Sequence, residues 1–209
     1  EQDHRRGKKM NAEEQALLAE CRKRLESETP LRRCPELADA KPLRGFALLT
    51  AKPMLVVFNN EESDQQMPEI GELAATETCL TLRAKIEQEL ARMSPEEAAE
   101  FLKEYGIGDS AMDRMIRLSY EVMGLMSFFT VGSDEVRAWT IRRGTPAVEA
   151  AGVIHSDIQK GFIRAEVISY EDLMAAGSTA EARRRGTFRL EGKTYEVRDG
   201  DIINFRFNV

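Results

Sequence analysis

An unbroken apolar run at residues 54–58, MLVVF, is the feature that most limits how this chain can fold. A strand that is apolar at consecutive positions suits a parallel sheet covered on both faces, whereas a sheet with one wet face alternates apolar and polar residues. We therefore predict a short buried strand at residues 53–58, with residues 79–82 as a possible neighbour. Two strands do not complete such a sheet, so we expect further strands outside this sequence.

The polar residues that follow this strand suggest a nucleotide-binding edge. Asn59 and Glu62 stand as Asn-x-x-Glu, and in base-reading loops an Asn side chain braces the loop while an acid or amide selects the exocyclic groups of the purine. A pattern with only two fixed positions also fits a solvated polar turn after a strand. From spacing, both interpretations stay open.

A phosphate-binding loop of the form G-x-x-x-x-G-K-[ST] does not accompany this pattern. Gly192, Lys193 and Thr194 supply the end of the motif, but Gly186 lies one residue too far upstream. The flanking residues read as strands rather than as a strand leading into a helix. This segment is therefore predicted to be a hairpin turn, and any phosphate loop is expected before Glu1.

Helical signals dominate the first 124 residues. Asn11 caps an amphipathic helix predicted over residues 11–28, whose narrow apolar stripe needs a partner such as the other half of a helical hairpin. A second helix is predicted through residues 43–49. Ser94 and Pro95 begin a third, and a fourth runs over residues 110–123 with methionines at core spacing, predicted to pack inside.

The signals change near residues 124–133. Strands are predicted at residues 125–130, 136–141, 162–168 and 202–207, with a hairpin over residues 188–197 and helices after Thr145 and Ser169. This order is that of a compact α+β module of the β-grasp type.

Basic residues flank the strands and the first helix of this module. Arginines interleaved with Trp139 and Phe162 on one sheet face would suit single-stranded or loop RNA, although a solvated face over an ordinary core fits the spacing as well. For His155 a structural hydrogen bond is the alternative to RNA contact, because no nucleophile or second acid stands near it. The RNA-binding candidates are Arg137, Arg142, Arg143, His155, Lys160 and Arg164.

Composition bounds the remaining possibilities. The net charge of −6 does not favour a polyanion partner, and no apolar run approaches the roughly 20 residues that span a bilayer. Cys21, Cys34 and Cys79 have no metal-ligand spacing, so we predict no metal site and expect thiols in a reducing cytoplasm. The start at Glu1 lacks both an initiator Met and a signal peptide, and we expect a part of a longer protein.

Longer tracts carry a specific resemblance. They are FFTVGSDEVRAWTI at residues 128–141, AAGVIHSD at 150–157, KGFIRAEV at 160–167 and EGKTYEVRDGDIINFRFNV at 191–209. The chain from about Met10 onward resembles the C-terminal part of the YchF, or Obg-like ATPase, family. Its members are P-loop ATPases or GTPases with a helical hairpin inserted in the G domain and a TGS domain at the C-terminus.

The resemblance implies a domain plan and a site. Residues 1–45 would hold the second helix of the hairpin, 46–124 a remnant of the α/β P-loop G domain, and 125–209 the TGS domain, a β-grasp (ubiquitin-like) fold. Asn59, Asn60, Glu62 and Ala84 would line the base, with Glu62 favouring adenine. Where the family has Ser-Ala or Cys-Ala, this chain has Arg83-Ala84, and Arg83 is expected to intrude on the purine pocket.

Our first hypothesis is thus the C-terminal portion of a YchF-like protein that binds and hydrolyses ATP or GTP with Mg²⁺ and associates with the ribosome or RNA through its TGS and helical domains. The chain alone is expected to be catalytically inactive, because its phosphate and Mg²⁺ ligands would lie elsewhere. The alternatives are a stand-alone RNA- or ribosome-binding module, or a protein-interaction scaffold that uses the first helix.

Overall fold

A computed structural model describes residues 11–106, 108–132 and 134–208 of the chain. These residues form a mixed α/β protein of two compact units, and the division in sequence falls between Glu89 and Leu90. The domain boundaries predicted from the sequence, after residues 45 and 124, differ from this division. The helices of residues 95–122 belong to the same unit as the C-terminal sheet, not to that of the parallel strands.

The first unit begins with helix α1, Ala12–Glu26, where the sequence predicts it. Asn11 caps the helix, its side-chain oxygen accepting a hydrogen bond from the Glu13 N–H at 3.1 Å. The apolar stripe of α1 packs inside its own unit, in a small core that includes Leu17, Leu18, Cys21, Leu31, Cys34, Leu37 and Leu43. Short helical segments, rather than a second long helix, thus cover this part of the stripe.

The helix predicted through residues 43–49 is wrong. The chain instead makes a series of short segments: the 3₁₀ turns Leu31–Arg33, Lys41–Phe46 and Leu49–Ala51, and helix α2, Pro35–Ala38. The Lys41–Phe46 segment ends because Ala47 takes a left-handed conformation, with φ 47°, which a continuous right-handed helix does not allow.

The predicted parallel strands are present, but the prediction that the first of them is buried is wrong, because no residue of Leu55–Asn59 is buried and Val57 is 40% exposed. Strand β1, Leu55–Asn59, pairs in parallel with β2, Thr78–Leu82, so that Asn59 lies opposite Leu82. Helix α3, Leu73–Thr76, precedes β2, and helix α4, Ala84–Leu90, follows it directly. Both strands therefore end at one edge of the sheet.

The second unit opens with two helices that the sequence predicts. Helix α5, Pro95–Glu104, starts with a full capping box between Ser94 and Glu97, and helix α6, Ala111–Val122, starts at Ser110. The prediction that the methionines of α6 pack inside is wrong, because Met112, Met115 and Met123 are 68%, 38% and 43% exposed. Tyr120, which shares their helical spacing, is half-buried, and its hydroxyl lies 3.2 Å from Thr140 Oγ1.

A five-stranded sheet forms the body of this unit, in the order β4-β3-β7-β5-β6. The strands are β3 Leu125–Val131, β4 Val136–Arg142, β5 Phe162–Ser169, β6 Arg189–Glu191 and β7 Asp201–Phe207. The contact of β3 with β7 is parallel and the other pairings are antiparallel. The remaining helices are α7 Ala147–Ile154, α8 Ser156–Lys160, α9 Tyr170–Ala176 and α10 Thr179–Arg184.

Helix α7 covers one face of the sheet through three alanines that are fully buried, Ala147, Ala150 and Ala151. They meet sheet residues that include Phe128, Ala165, Val167, Ile203 and Phe205. The predicted hairpin over residues 188–197 is wrong in its second half. Strand β6 pairs with β5, and Glu196 makes only an isolated bridge to Pro146.

Candidate functional site

The carboxyl ends of β1 and β2 bring together two segments that are distant in sequence. In a parallel pair both chains leave the sheet at the same edge, and this is where open α/β sheets bind ligands. The Asn60 N–H donates to the Leu82 carbonyl at 2.8 Å, which extends the pairing by one residue. Residues 59–62 therefore lie beside residues 83–85.

Asn59 braces the two segments against each other. Its side-chain oxygen accepts a hydrogen bond from the Ala84 N–H at 3.0 Å, across 25 residues of sequence. The Asn60 side-chain amide donates to the Gln66 carbonyl at 2.7 Å, so it holds the loop that follows. The Asn59 side chain thus joins the two segments, and the Asn60 side chain holds the following loop, a contact that the sequence did not reveal.

Glu62 is held by two cations from the neighbouring segment. Lys85 makes an ion pair with the Glu62 carboxylate, and this hydrogen bond raises the pKa of the Lys85 ammonium above its usual value. The Arg83 guanidinium donates to the main-chain oxygen of Glu62 at 3.2 Å. Residues that follow β2 therefore hold both the carboxylate and the main-chain oxygen of Glu62 in place.

These contacts surround an open depression of about 430 Å³ lined by Asn59, Asn60, Glu61, Glu62, Ser63 and Lys85. Its size lies within the range of roughly 300–1,000 Å³ typical of small-molecule sites. Arg83, expected to intrude on a purine pocket, is not one of the residues that line it. Ala84 does not line it either, because its amide is directed at Asn59.

The depression offers a carboxylate and an ammonium at one edge, which can accept from and donate to a heterocyclic base. No group of three or more His, Cys, Asp or Glu able to hold a metal ion occurs in residues 11–106, 108–132 and 134–208. The same residues contain no helix long and apolar enough to cross a bilayer.

Lys85 is the site residue that sequence reasoning missed. It stands next to Ala84, which the resemblance had singled out, but a lone exposed lysine carries no signal of its own. Its contact with Glu62 spans 23 residues and follows only from the parallel register of β1 and β2. Sequence reasoning could have found it by asking which side chains leave the sheet beside Asn59.

The RNA-binding candidates of the second unit do not share one face. Arg137 lies on the α7-covered side of β4, with its guanidinium 4.5 Å from the centre of the Trp139 ring, and Trp139 donates to Thr130 Oγ1 at 2.9 Å. Arg164 precedes the core residue Ala165 on β5, so it points to the opposite side of the sheet. The expectation of a single basic face is therefore wrong.

The other candidates lie around helices α7 and α8. Exposed His155 caps α8, its Nδ1 accepting from the Asp157 N–H at 3.2 Å, and Lys160 approaches the same Asp157 carboxylate at 3.6 Å. This is the structural hydrogen bond that the sequence offered as an alternative to RNA contact. Arg142 and Arg143 are exposed at the end of β4.

A buried carboxylate marks the sheet face that carries Arg164. Glu166 is only 4% exposed and receives hydrogen bonds from Asn204 and Arg206, while Arg183 lies 3.5 Å away. Burial alone would raise the pKa of Glu166, but the hydrogen bonds of these three residues bring it below the usual value. This acid neutralises part of the positive charge on that face.

Taken together, the fold is that of a mixed α/β protein in which a parallel strand pair with a polar edge precedes a five-stranded, mainly antiparallel sheet. Residues 125–208 match the sequence profile of the family YchF-GTPase_C, described as "Protein of unknown function (DUF933)". The chain belongs to the YchF, or Obg-like ATPase, family, and its match covers the C-terminal part.

Individual relatives support this assignment over most of the chain. It is 44% identical over 203 residues to the ribosome-binding ATPase YchF of Bacillus subtilis, with 92% of this chain and 56% of that protein aligned. It is 42% identical to Obg-like ATPase 1 of Oryza sativa over 82% of this chain and 46% of the relative. The chain thus spans about half the length of these relatives.

A solved structure agrees with these alignments. The structure of the Schizosaccharomyces pombe YchF GTPase superposes with a TM-score of 0.80 at 32% sequence identity, covering 93% of this chain and 54% of that one.

Proposed function

We propose that residues 59–62 and 83–85 form the base-reading edge of a nucleotide-binding domain, in a protein that binds and hydrolyses ATP or GTP with Mg²⁺. The hydrogen bond from the Ala84 N–H to the Asn59 side chain carries the proposal. It fixes two loops at the end of a parallel strand pair, and this arrangement supports a base-reading edge. The names of the relatives, ribosome-binding ATPase and Obg-like ATPase, support the same activity.

Adenine is the base we expect at this edge. The Glu62 carboxylate lines the depression together with Lys85 and can accept a hydrogen bond from the exocyclic amino group of either purine. The preference for adenine therefore rests on the relatives, which are named ATPases. Arg83 binds the Glu62 backbone instead of lining the depression, so it does not remove the space for a purine. Asn59 and Asn60 would position the loop at residues 59–62. The Ala84 N–H would fix the distance between this loop and the segment at residues 83–85.

Nucleotide titrations of the 209-residue protein test this proposal. Because no phosphate loop contributes, binding should be weak, and ligand-observed NMR at millimolar nucleotide suits it. We expect ATP to bind more tightly than GTP, and Asn59→Ala and Glu62→Ala each to weaken ATP binding at least about fivefold, which is the loss of one or two hydrogen bonds.

Asn208→Ala, an exposed asparagine of the second unit, is the matched control and should bind as the wild type does. Equal binding by all four proteins would refute the base-reading edge. Magnesium-dependent ATP turnover above a buffer blank would refute the expectation that these 209 residues alone are inactive.

We propose that the second unit is a TGS domain of the β-grasp type. Together with the helical segment, it would contact the ribosome or its RNA in the cytoplasm. The exposed cations around β4, α8 and β5 support the proposal: Arg137, Arg142, Arg143, Lys160 and Arg164, with His155 between them. Phosphate contacts release counterions, so co-sedimentation with ribosomes should weaken as salt rises.

Replacing Arg137, Lys160 and Arg164 together by Glu should abolish this co-sedimentation. Since Arg137 and Arg164 lie on opposite sheet faces, the single variants Arg137→Glu and Arg164→Glu show which face binds. Unchanged sedimentation of the triple variant would mean that neither face is the contact.

A further inference from the structure

In the part of the chain that the structure describes, strand β4 forms one edge of the five-stranded sheet. Its pairing with β3 runs without a register shift from Val131 opposite Val136 to Leu125 opposite Arg142. Edge strands in natural proteins are commonly short, bulged, or interrupted by proline or lysine, because an open edge can pair with another chain. β4 is seven residues long and contains neither proline nor lysine. The opposite edge, β6, has only three residues.

The backbone groups that point outward can be assigned from the hydrogen bonds at the two ends of the hairpin. The Arg143 N–H donates to the Gly124 carbonyl, and the Gly132 N–H donates to the Glu135 carbonyl, both at 2.8 Å. The backbone N–H and C=O groups of residues 135 and 143 are therefore directed at β3, and so are those of the odd-numbered residues between them. The N–H and C=O groups of Val136, Ala138 and Thr140 consequently face away from the sheet.

The side chains beside this edge differ between its two faces. Val136 is 70% exposed and faces the same side as Val131, which is 49% exposed, so an apolar strip borders the edge on that face. On the other face Arg137 lies over Trp139. Arg142 lies on the Val136 face and Arg143 follows the strand. Residues 136–148 contain three arginines and no acid, and the acids Asp134 and Glu135 precede the strand.

We propose that β4 accepts an extended acidic peptide of a protein partner as an additional strand of the sheet. Added strands gain affinity from main-chain hydrogen bonds and specificity from alternate side chains. Apolar residues of the peptide lie beside Val136 and Ala138, and its acidic residues face Arg137 and the cations at the end of the strand.

The pattern of the edge favours a peptide over other occupants. The outward carbonyls of β4 need donors and its outward N–H groups need acceptors. A peptide backbone supplies both at the right spacing, whereas a phosphate backbone supplies no donors. The exposed valines also gain nothing from RNA.

Amide hydrogen exchange of the 209-residue protein, followed by NMR, tests this proposal. The probe is a synthetic peptide of alternating valine and glutamate, and its control has lysine in place of glutamate. The valine–glutamate peptide should slow exchange at Val136, Ala138 and Thr140 at least about tenfold, because these amides become hydrogen-bonded. The lysine peptide should leave them unchanged.

Two variants make the test specific. Ala138→Pro removes an outward N–H at an edge position where proline is tolerated, and Arg137→Glu reverses the charge beside it. Each should weaken peptide binding at least about tenfold. Lys193→Glu, which makes the same charge change at an exposed residue after β6, should bind as the wild type does.

Several results would overturn the proposal. One is no protection of these amides by the valine–glutamate peptide, and another is equal protection by the lysine peptide. Protection by oligouridine but not by either peptide would assign the edge to RNA. Dimerisation of the unliganded protein that Ala138→Pro abolishes would assign it to a second copy.

Discussion

At the scale of single residues, Gly161 has the closest backbone neighbour of the glycines that the structure describes. A Cβ added to Gly161 would lie 2.0 Å from the Asn208 carbonyl oxygen. Gly161 has φ −85°, which any residue can adopt, so the contact alone requires glycine here. The Asn208 N–H donates to the Gly161 carbonyl at 3.0 Å, which fixes this approach.

We therefore expect Gly161→Ala to lower the free energy of unfolding by about 1–3 kcal/mol, the usual cost of overpacking. Gly152→Ala is the matched control, because its added methyl would meet only the movable end of Gln159 at 2.8 Å and would favour helix α7. Urea unfolding of both variants checks this. Equal destabilisation by the two would mean that the approach to Asn208 is not rigid.

The carboxylate of Glu77 makes the best-buried ion pair of the first unit. Its side chain is 5% exposed and receives a bidentate hydrogen bond from Arg32, with Arg33 3.3 Å away. The hydrogen bond from Arg32 is the main reason that the pKa of Glu77 falls below its usual value, against the opposing effect of burial. The contact ties the turn at Leu31–Arg33 to the start of β2.

Glu77→Gln should destabilise the first unit by about 3 kcal/mol at neutral pH, because it leaves two arginines without their partner. A lowered folded-state pKa adds stability above the unfolded value of about 4.3, and that stability disappears as the pH falls through the folded value. The difference between wild type and variant should therefore shrink below about pH 4. A difference that stays constant down to pH 2 would contradict this account.

At the scale of elements, the start of α5 depends on a reciprocal cap. The Ser94 hydroxyl accepts from the Glu97 N–H at 3.4 Å, while the Glu97 carboxylate accepts from the Ser94 N–H at 2.9 Å. The backbone hydrogen bond from Ser94 is the main cause of a lowered pKa at Glu97. No residue of α5 is buried, so the cap matters more here than in a helix held by a core.

Ser94→Ala should increase fraying of α5, because it removes a side-chain cap worth about 1 kcal/mol. Amide exchange at residues 97–100 should become about fivefold faster, while exchange in the β3–β7 sheet stays unchanged. Uniform acceleration across the whole unit would show that α5 unfolds together with the sheet and would contradict a local role.

Elements with local signals could be predicted from the sequence, and those set by tertiary contacts could not. The caps at Asn11 and Ser94 and the apolar run of β1 specify their structures within a few residues. The pairing of β6 with β5, instead of with residues 194–197, depends on distant residues. Likewise, the helical spacing of the α6 methionines predicts that they lie on one side of the helix, but it does not show which side of the helix the sheet covers.

The candidate site divides in the same way. Asn59 and Glu62 stand out because a polar pair directly follows an apolar strand. Lys85, in contrast, reaches Glu62 only because β1 and β2 pair in parallel with their ends aligned. The basic residues of the second unit are exposed, as the sequence suggested. Their division between two faces follows from strand alternation, which assigns a face only once the position of the core is known, and spacing alone did not define that position.

At the scale of the whole molecule, the two units have separate cores. The core of the second unit is formed by residues between Met126 and Phe205, and that of the first by residues between Leu17 and Ala51. We expect residues 90–209 to fold without the first unit, because the sheet and its covering helix α7 are both contained in that segment. The amide spectrum of this segment should reproduce the β3–β7 signals of the full chain. A collapsed spectrum would show that the sheet needs the first unit.

Membership of the YchF family and a braced strand edge together make base recognition the central claim for the first unit. The most direct measurement is an amide-resolved NMR titration of the 209-residue protein with adenosine monophosphate. We predict that the largest chemical-shift changes fall on residues 59–63 and 83–85, and that Asn59→Ala abolishes them. Changes spread evenly over the protein, or concentrated in the second unit, would contradict a base-reading edge at the ends of β1 and β2.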